Sequence, residues 1–309
     1  MKMKKIIITT DKCEFCNSKK LDLIGEVKFM YTNSNVVICN NCKSVFKDYN
    51  PNEEEVISFY QNCPHDPKRL YKNKNKKQFK FLKKNIKLDN IDSVLEVGSG
   101  PIGMFSKLPK NINKFSLEVD KTVAKELNKN GVKTYSSMKE IDQKFDLIIL
   151  SHIVEHVIEE IDIYIRSLVE LLSEDGVIFI EVPSSEFELM IQNNKLINHY
   201  FTPSHKRSSS ELAYKKLLDR LNYRTYHIET LSNLLNRLEY FFRYKYSSMI
   251  DPFCDNKNAR SYLLKRYPLF TFHIISSAFF SLIIKIFFIT KPSLDILIFK
   301  SQKNKLTNQ

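Results

Sequence analysis

Tryptophan is absent from this 309-residue chain, and glycine is scarce at 6 residues. Lysine and asparagine are abundant instead, as an AT-rich genome would produce, so lysine counts carry less functional weight. No secretory segment opens the chain: Met1 to Lys5 lead only into Ile6-Ile7-Ile8 before polar residues resume. The expectation is therefore a cytoplasmic protein. Long apolar runs are missing too. Leu269 to Ile284 holds sixteen uncharged residues before Lys285 interrupts it, short of the roughly 18 that a spanning helix needs. Acids are lacking between Lys68 and Lys87, a stretch with ten Lys or Arg, without which the net charge of +13 falls to +3. Such a run suits a nucleic acid backbone, an anionic membrane or phosphorylated substrates. Phe79, Leu82 and Ile86 recur within it at helical spacing, and the plainer reading is a solvated amphipathic helix joining two modules.

Half of the scarce glycines fall in one place: Val94-Leu95-Glu96-Val97-Gly98-Ser99-Gly100-Pro101-Ile102-Gly103. An apolar run ends in an acid and breaks into close glycines, as where a buried parallel strand turns beneath a nucleotide-like ligand. A Cβ there would obstruct both the turn and the approach of backbone to ligand. An alternating pattern follows. Phe115 to Asp120 reads as a second strand ending in an acid, 22 residues after Gly98, which places Asp120 to take ribose hydroxyls. A helix over Thr122 to Asn130, a short strand at Val132 to Tyr135 and a continuous apolar strand at Phe145 to Leu150 come next. A helix from about Glu155 to Leu172, stopped by Asp175-Gly176, leads into a fifth strand, Val177 to Pro183. Apolar runs this short, separated by helices, predict an α/β fold with a doubly wound, Rossmann-like parallel sheet.

Glu96-Val97-Gly98-Ser99-Gly100, Asp120 and the strand-four ending Ser151-His152-Ile153-Val154-Glu155-His156-Val157 together resemble the class I S-adenosylmethionine-dependent methyltransferases. The resemblance covers about Leu88 to Glu229, with a closing strand near Leu294 to Lys300. It implies that Glu96, Gly98, Ser99 and Gly100 border the methionine part of S-adenosylmethionine, and that Asp120 binds its ribose. It also implies that Met138 lies by the adenine and that Ser151 lines the floor near the methyl group. The third glycine usual in that family is Ile102 here, with Gly103 next.

At the N-terminus, Cys13-Glu14-Phe15-Cys16 and Cys39-Asn40-Asn41-Cys42 are two paired sets separated by 22 residues. Four thiolates on two tight turns suit a closed, structural tetrahedral Zn2+ site, as in a zinc ribbon. A module of about 45 residues buries too little apolar surface to fold alone, so the metal would supply much of its folding free energy. The alternatives are two disulfides, disfavoured in a reducing compartment, or reduced, metal-free cysteines. Cys63 and Cys254 have no partner in the pattern. The expected organisation is a zinc-ribbon module over 1–50, a basic helical linker over 51–90, the cofactor-binding core over 91–229, a helical insertion over 230–291, and a closing strand and tail over 292–309.

A zinc ribbon ahead of this core is similar to the bacterial sugar C- and O-methyltransferases. The resemblance implies a sugar, nucleotide-linked or surface-glycan acceptor and a histidine base after strand five. The matching segment is Asn198-His199-Tyr200-Phe201-Thr202-Pro203, where Asn198 replaces the glutamate usual before that histidine. Methyl transfer from a sulfonium needs an aligned acceptor and, for a hydroxyl, removal of its proton. A neutral imidazole suits that step. His199 is thus the first candidate base, with a packing role as its alternative. His156 is the second, although it reads first as a structural or cofactor-shell residue at a helix start. His205 suits an anionic substrate group or a plain loop role. For 269–289, the basic flanks Lys265, Arg266, Lys285 and Lys291 favour an interfacial helix on the inner membrane face, and a buried oligomer-interface helix is the equal alternative. Two rival functions stand. One is a zinc-ribbon RNA methyltransferase, which the basic run favours. Against it, Cys39 and Cys42 replace the histidine usual in that group, and Ser151 to Val154 lacks its Asn/Asp-Pro-Pro-aromatic tetrad. The other is a methyltransferase-like scaffold without chemistry.

Overall fold

A computed structural model describes residues 10–30, 32–52, 54–56, 58, 76–100, 104–105, 107–185, 204–223, 226–230 and 293–299. His199, Ile102, Gly103, Cys63, Cys254, the basic run before residue 76 and the apolar stretch 269–289 lie outside these residues.

Apolar strands with β-branched residues assemble the main sheet. Strands β4 (Ser93–Val97), β5 (Asn113–Leu117), β6 (Lys133–Tyr135), β7 (Phe145–Ser151) and β8 (Leu172–Pro183) run parallel. Two antiparallel strands, β10 (Tyr226–Thr230) and β11 (Ser293–Phe299), extend it beside β8. The order is β10-β11-β8-β7-β4-β5-β6. The chain leaves β4 toward β5 and β6, then returns to the other side of β4 for β7. Strand order therefore reverses at β4, and ligands of open α/β sheets bind outside the carboxyl ends of strands at such a point.

Alternate side chains leave these strands for opposite faces. Ile148, Leu150, Ile178, Ile180 and Val182 pack on one side with α3 (Ile161–Glu170) and α4 (Glu211–Arg220). Leu147, Ile149, Val177 and Phe179 pack on the other with α1 (Lys76–Asn85), Met104, Phe105 and α2 (Lys121–Lys129). Phe145 breaks the alternation and joins the first group, because the register with β8 shifts between Phe145 and Leu147.

Three expectations need correction. The helix expected from Glu155 is a 3-10 turn, Val154–His156, followed by α3 from Ile161. Long-range contacts hold that turn: Lys206 N–H donates to the Glu155 carbonyl at 2.7 Å. Asp175-Gly176 does not stop a helix but lies inside β8, where a Cβ on Gly176 would stand 2.8 Å from the Phe145 carbonyl oxygen. Strand β5 ends at Leu117, so Glu118 and Asp120 both lie beyond it.

The cysteine pairs sit on a second, antiparallel sheet of order β1-β2-β3-β9: β1 (Leu21–Phe29), β2 (Thr32–Cys39), β3 (Val45–Lys47) and β9 (Arg207–Ser208). Its last strand comes from far along the chain, pairing Phe46 with Arg207 and Val45 with Ser208. Cys13, Cys39 and Cys42 share one apolar cluster with Ile148, Ile178 and α3 and α4. The cysteine sheet is thus built into the core rather than tethered to it.

Candidate active site and cysteine cluster

The two CxxC turns have the same backbone. Cys13 N–H donates to the Ser18 carbonyl and Asn17 N–H to that of Cys13; Cys39 N–H donates to Ser44 and Lys43 N–H to Cys39. Asn17 and Lys43 take left-handed φ values of 56° and 61°, which close each turn around its thiols. The sulfurs of Cys13 and Cys42 lie 3.6 Å apart, as do those of Cys16 and Cys39. All four fall within 4.8 Å of one another. A disulfide needs about 2.05 Å, whereas sulfurs at 2.3 Å from a tetrahedral zinc are about 3.8 Å apart. The donor set therefore fits Zn2+. Supporting groups are in place: the Ser44 hydroxyl is 3.2 Å from Cys13 Sγ and 3.1 Å from Cys42 Sγ, and Asn41 Nδ2 donates to Cys16 Sγ. The hydrogen bond with Cys42 draws the Cys13 thiol down to about 5, so it ionises readily.

Buried polar side chains join this unit to the main sheet. Arg207 is 1% exposed, with Nε on Glu14 at 2.8 Å and its other nitrogens on the Val154 and Glu159 carbonyls. Arg220 reaches from α4 to the Glu14 carbonyl and to Asp162. The Ser210 hydroxyl donates to the Cys42 carbonyl and Ser185 to that of Lys43. Residues 184 and 185 follow β8 directly. The cysteine unit therefore stands at the carboxyl ends of β7 and β8, beside the switch point.

At that point β4 delivers Glu96 and the glycine turn. Gly98 and Gly100 have φ of 61° and 62°, the left-handed region in which a Cβ is strained. A Cβ on Gly98 would also stand 2.3 Å from Ile153 Cδ1. Ser99 Oγ is tied to Ser116 Oγ at 2.8 Å. Glu96 is 3% exposed, and among the described residues both of its oxygens share a single donor, Met104 N–H, at 3.0 and 2.8 Å. Burial pushes its carboxyl up to about 8 against that one hydrogen bond. An acid so poorly solvated is suited to a cationic partner, and the ammonium of a methionine moiety is such a partner.

Asp120, expected to hold ribose, also serves the helix that follows it. Its Oδ1 accepts from Thr122 and Val123 N–H and caps α2. The carboxylate beside the turn is Glu118, which accepts from Gly100 N–H at 3.2 Å and Asp120 N–H at 3.0 Å. Burial raises its pKa, and these N–H groups partly offset the rise. Glu118 directly follows β5, and that position was the readable signal for it. Met138 opens the 3-10 turn Met138–Glu140, which Ser137 caps, and packs on the main cluster.

Ser151 ends β7 and donates to Glu181 Oε2 at 2.5 Å. His152, which composition did not single out, takes a left-handed φ of 58°. Such strain in a non-glycine residue concentrates at functional sites. Its ring is 41% exposed and lies between two buried acids, with Nδ1 3.1 Å from Glu155 Oε1 and Nε2 3.7 Å from Glu181 Oε1. His156 Nδ1 is 3.1 Å from the Ser204 carbonyl oxygen, and its ring meets that of His205 edge-on at 4.6 Å. Burial lowers the pKa of His156, and lowers His205 to about 3; both are neutral at ordinary pH. Among the described residues, no helix is long and apolar enough to cross a membrane.

A family model described as a methyltransferase domain matches residues 58–228. Solved structures with a similar arrangement include the plantazolicin methyltransferase BamL in complex with a triazolic desmethylPZN analog and SAH. It is 14% identical, with 81% of this chain and 91% of that chain covered and a TM-score of 0.43. The mycolic acid cyclopropane synthase CmaA1, complexed with SAH and CTAB, is 12% identical over 72% of this chain and 82% of that chain, at TM-score 0.44. A SAM dependent methyltransferase from Archaeoglobus fulgidus is 19% identical over 73% and 94%, at TM-score 0.42. No curated protein matches the chain.

Proposed function

Because the chain belongs to the methyltransferase-domain family, and is an S-adenosylmethionine-dependent methyltransferase, we propose that it methylates a hydroxyl of a small-molecule or glycan acceptor, with a sugar as the first choice. The observation that carries the cofactor assignment is the pair of buried acids, Glu96 and Glu118, flanking the left-handed Gly98–Gly100 turn at the switch point. When bound, the cofactor supplies an electrophilic methyl on a sulfonium, whose C–S bonding pair stays with sulfur as the thioether. In this reading Glu96 holds the ammonium group and Glu118, rather than Asp120, takes the ribose hydroxyls. Ser99 and the glycine turn offer backbone to the methionine part, while Met138 lies toward the adenine. Ser151, fixed by Glu181, floors the methyl position. The acceptor oxygen forms the new bond to carbon and gives its proton to an imidazole. His199 and His152 are the two assigned to that step. His156, with Nδ1 against Ser204, holds position instead. The four cysteines hold a structural zinc, and the unit they fold covers the acceptor side. The sugar assignment is supported by the order of cysteine unit and core. An RNA acceptor remains the second choice, favoured by the basic stretch before α1. In this scheme the 269–289 segment serves as a peripheral membrane contact.

Calorimetry with S-adenosylhomocysteine tests the reading. We expect binding to weaken about 10-fold or more in Glu118→Ala, the loss of charge-assisted hydrogen bonds worth about 1.5–3 kcal/mol. Asp120→Ala should change affinity little and lower stability by about 1 kcal/mol, the worth of a helix cap. Wild-type protein that does not bind S-adenosylhomocysteine would end the enzyme reading. Transfer of labelled methyl to nucleotide sugars rather than to ribosomal RNA would then separate the two acceptors.

A further inference from the structure

A second cluster of ligating side chains lies beside the β7 terminus, remote in composition from the four thiols. Glu155 is 1% exposed. Its Oε1 meets His152 Nδ1 at 3.1 Å, whereas its Oε2 is enclosed and, among the described residues, has no hydrogen-bond partner. Burying a carboxylate oxygen unpaired is costly unless a cation or donor meets it. One ligand atom each from Glu155, His156 and His205 lies within 4.8 Å of the others. The Ser204 carbonyl only accepts, so the short contact to His156 Nδ1 fixes the proton there and leaves the lone pair on Nε2. His205 is brought to the same place by the backbone bond from Lys206 N–H to the Glu155 carbonyl and by the β3–β9 pairing that follows.

The geometry points to a divalent first-row cation, of the zinc class, held by the carboxylate of Glu155 and the imidazoles of His156 and His205. Two neutral imidazoles and one carboxylate on one side of a metal leave coordination positions open, the arrangement of catalytic rather than structural sites. Outer-shell partners are present on two of the three ligands: the Ser204 carbonyl orients His156, and His152 orients Glu155. An open position would take an oxygen of the acceptor and lower the pKa of a hydroxyl there. That consequence, unlike the site itself, rests on the methyltransferase reading.

The test is metal analysis and calorimetric titration of the full chain with Zn2+, repeated with Co2+ for its visible spectrum. Two equivalents are expected, one on the cysteines and a second lacking thiolate-to-cobalt charge transfer. His205→Ala and Glu155→Gln should each weaken the second equivalent by at least 10-fold and leave the first. Circular dichroism checks their fold, and if Glu155→Gln does not fold, His205→Ala, at a residue only partly buried, decides. A single equivalent, or a second that survives His205→Ala, would overturn the site. S-adenosylhomocysteine binding, measured on the same samples, keeps the two readings apart. A second cation without that binding leaves this site standing and removes the methyltransferase reading; the reverse result does the opposite.

Discussion

Glu96 shows how a single side chain sets a measurable linkage. Its ordinary value of 4.5 is raised to about 8 by burial. The folded chain therefore keeps a proton that the unfolded chain releases above about 4.5, and the resulting stability fades as pH rises through about 8. An ammonium partner reverses the preference. Binding of S-adenosylhomocysteine at pH 7 should release up to about one proton, read from calorimetry in two buffers of different ionisation enthalpy. The release should vanish above about pH 9 and in Glu96→Gln, whose unliganded form should also melt higher than wild type at alkaline pH. Equal heats in both buffers would refute the assignment. The acid and the glycines were legible because the chemistry is local: a strand end, an acid and two left-handed positions within five residues. The choice between Glu118 and Asp120 was less so. An aspartate two residues before Thr122 at the head of a helix is also a capping signal, and Asp120 Oδ1 does cap α2. The φ of His152 has no signature in its neighbours.

Elements were readable in kind and less so in extent. The apolar period of α3 begins at Ile161, yet the helix expected upstream gives way to the turn holding Glu155. The reason is a contact with Lys206, 51 residues further on. The meeting of Glu155 and His156 with His205 was hidden for the same cause. The cysteine turns, being local, matched their expected spacing and geometry. Their burial with Ile148 and Ile178 leads to a further expectation. Zinc on four thiolates contributes about 10–16 kcal/mol in isolated modules, as much as the whole stability of a typical domain, about 5–15 kcal/mol. Cys42→Ser, or a strong zinc chelator, should therefore lower the melting of the whole protein in one transition, followed by scanning calorimetry. A small separate transition, with the main one unmoved, would mean that the cysteine unit melts independently.

For the molecule as a whole, Arg207 carries the join. Its guanidinium links Glu14 of the cysteine unit to carbonyls at Val154 and Glu159 while nearly fully buried. Arg207→Ala should cost about 3–5 kcal/mol, the usual penalty for breaking a buried ion pair from one side. Lys216→Ala, which removes an exposed bond to Asn41, should stay within about 0.5 kcal/mol. Urea unfolding measures both, and comparable losses would show that the join rests elsewhere. The pairing of β3 with β9 has one more consequence, in time rather than energy. Phe46 leaves the ribosome some 160 residues before Arg207. At about 5–20 residues per second, the first sheet waits roughly 8–30 s for its last strand. During that interval the edge of β3 is open to pairing with a neighbouring nascent chain. Early metal capture would hold the cysteine turns closed through the wait, making zinc supply during translation a determinant of yield.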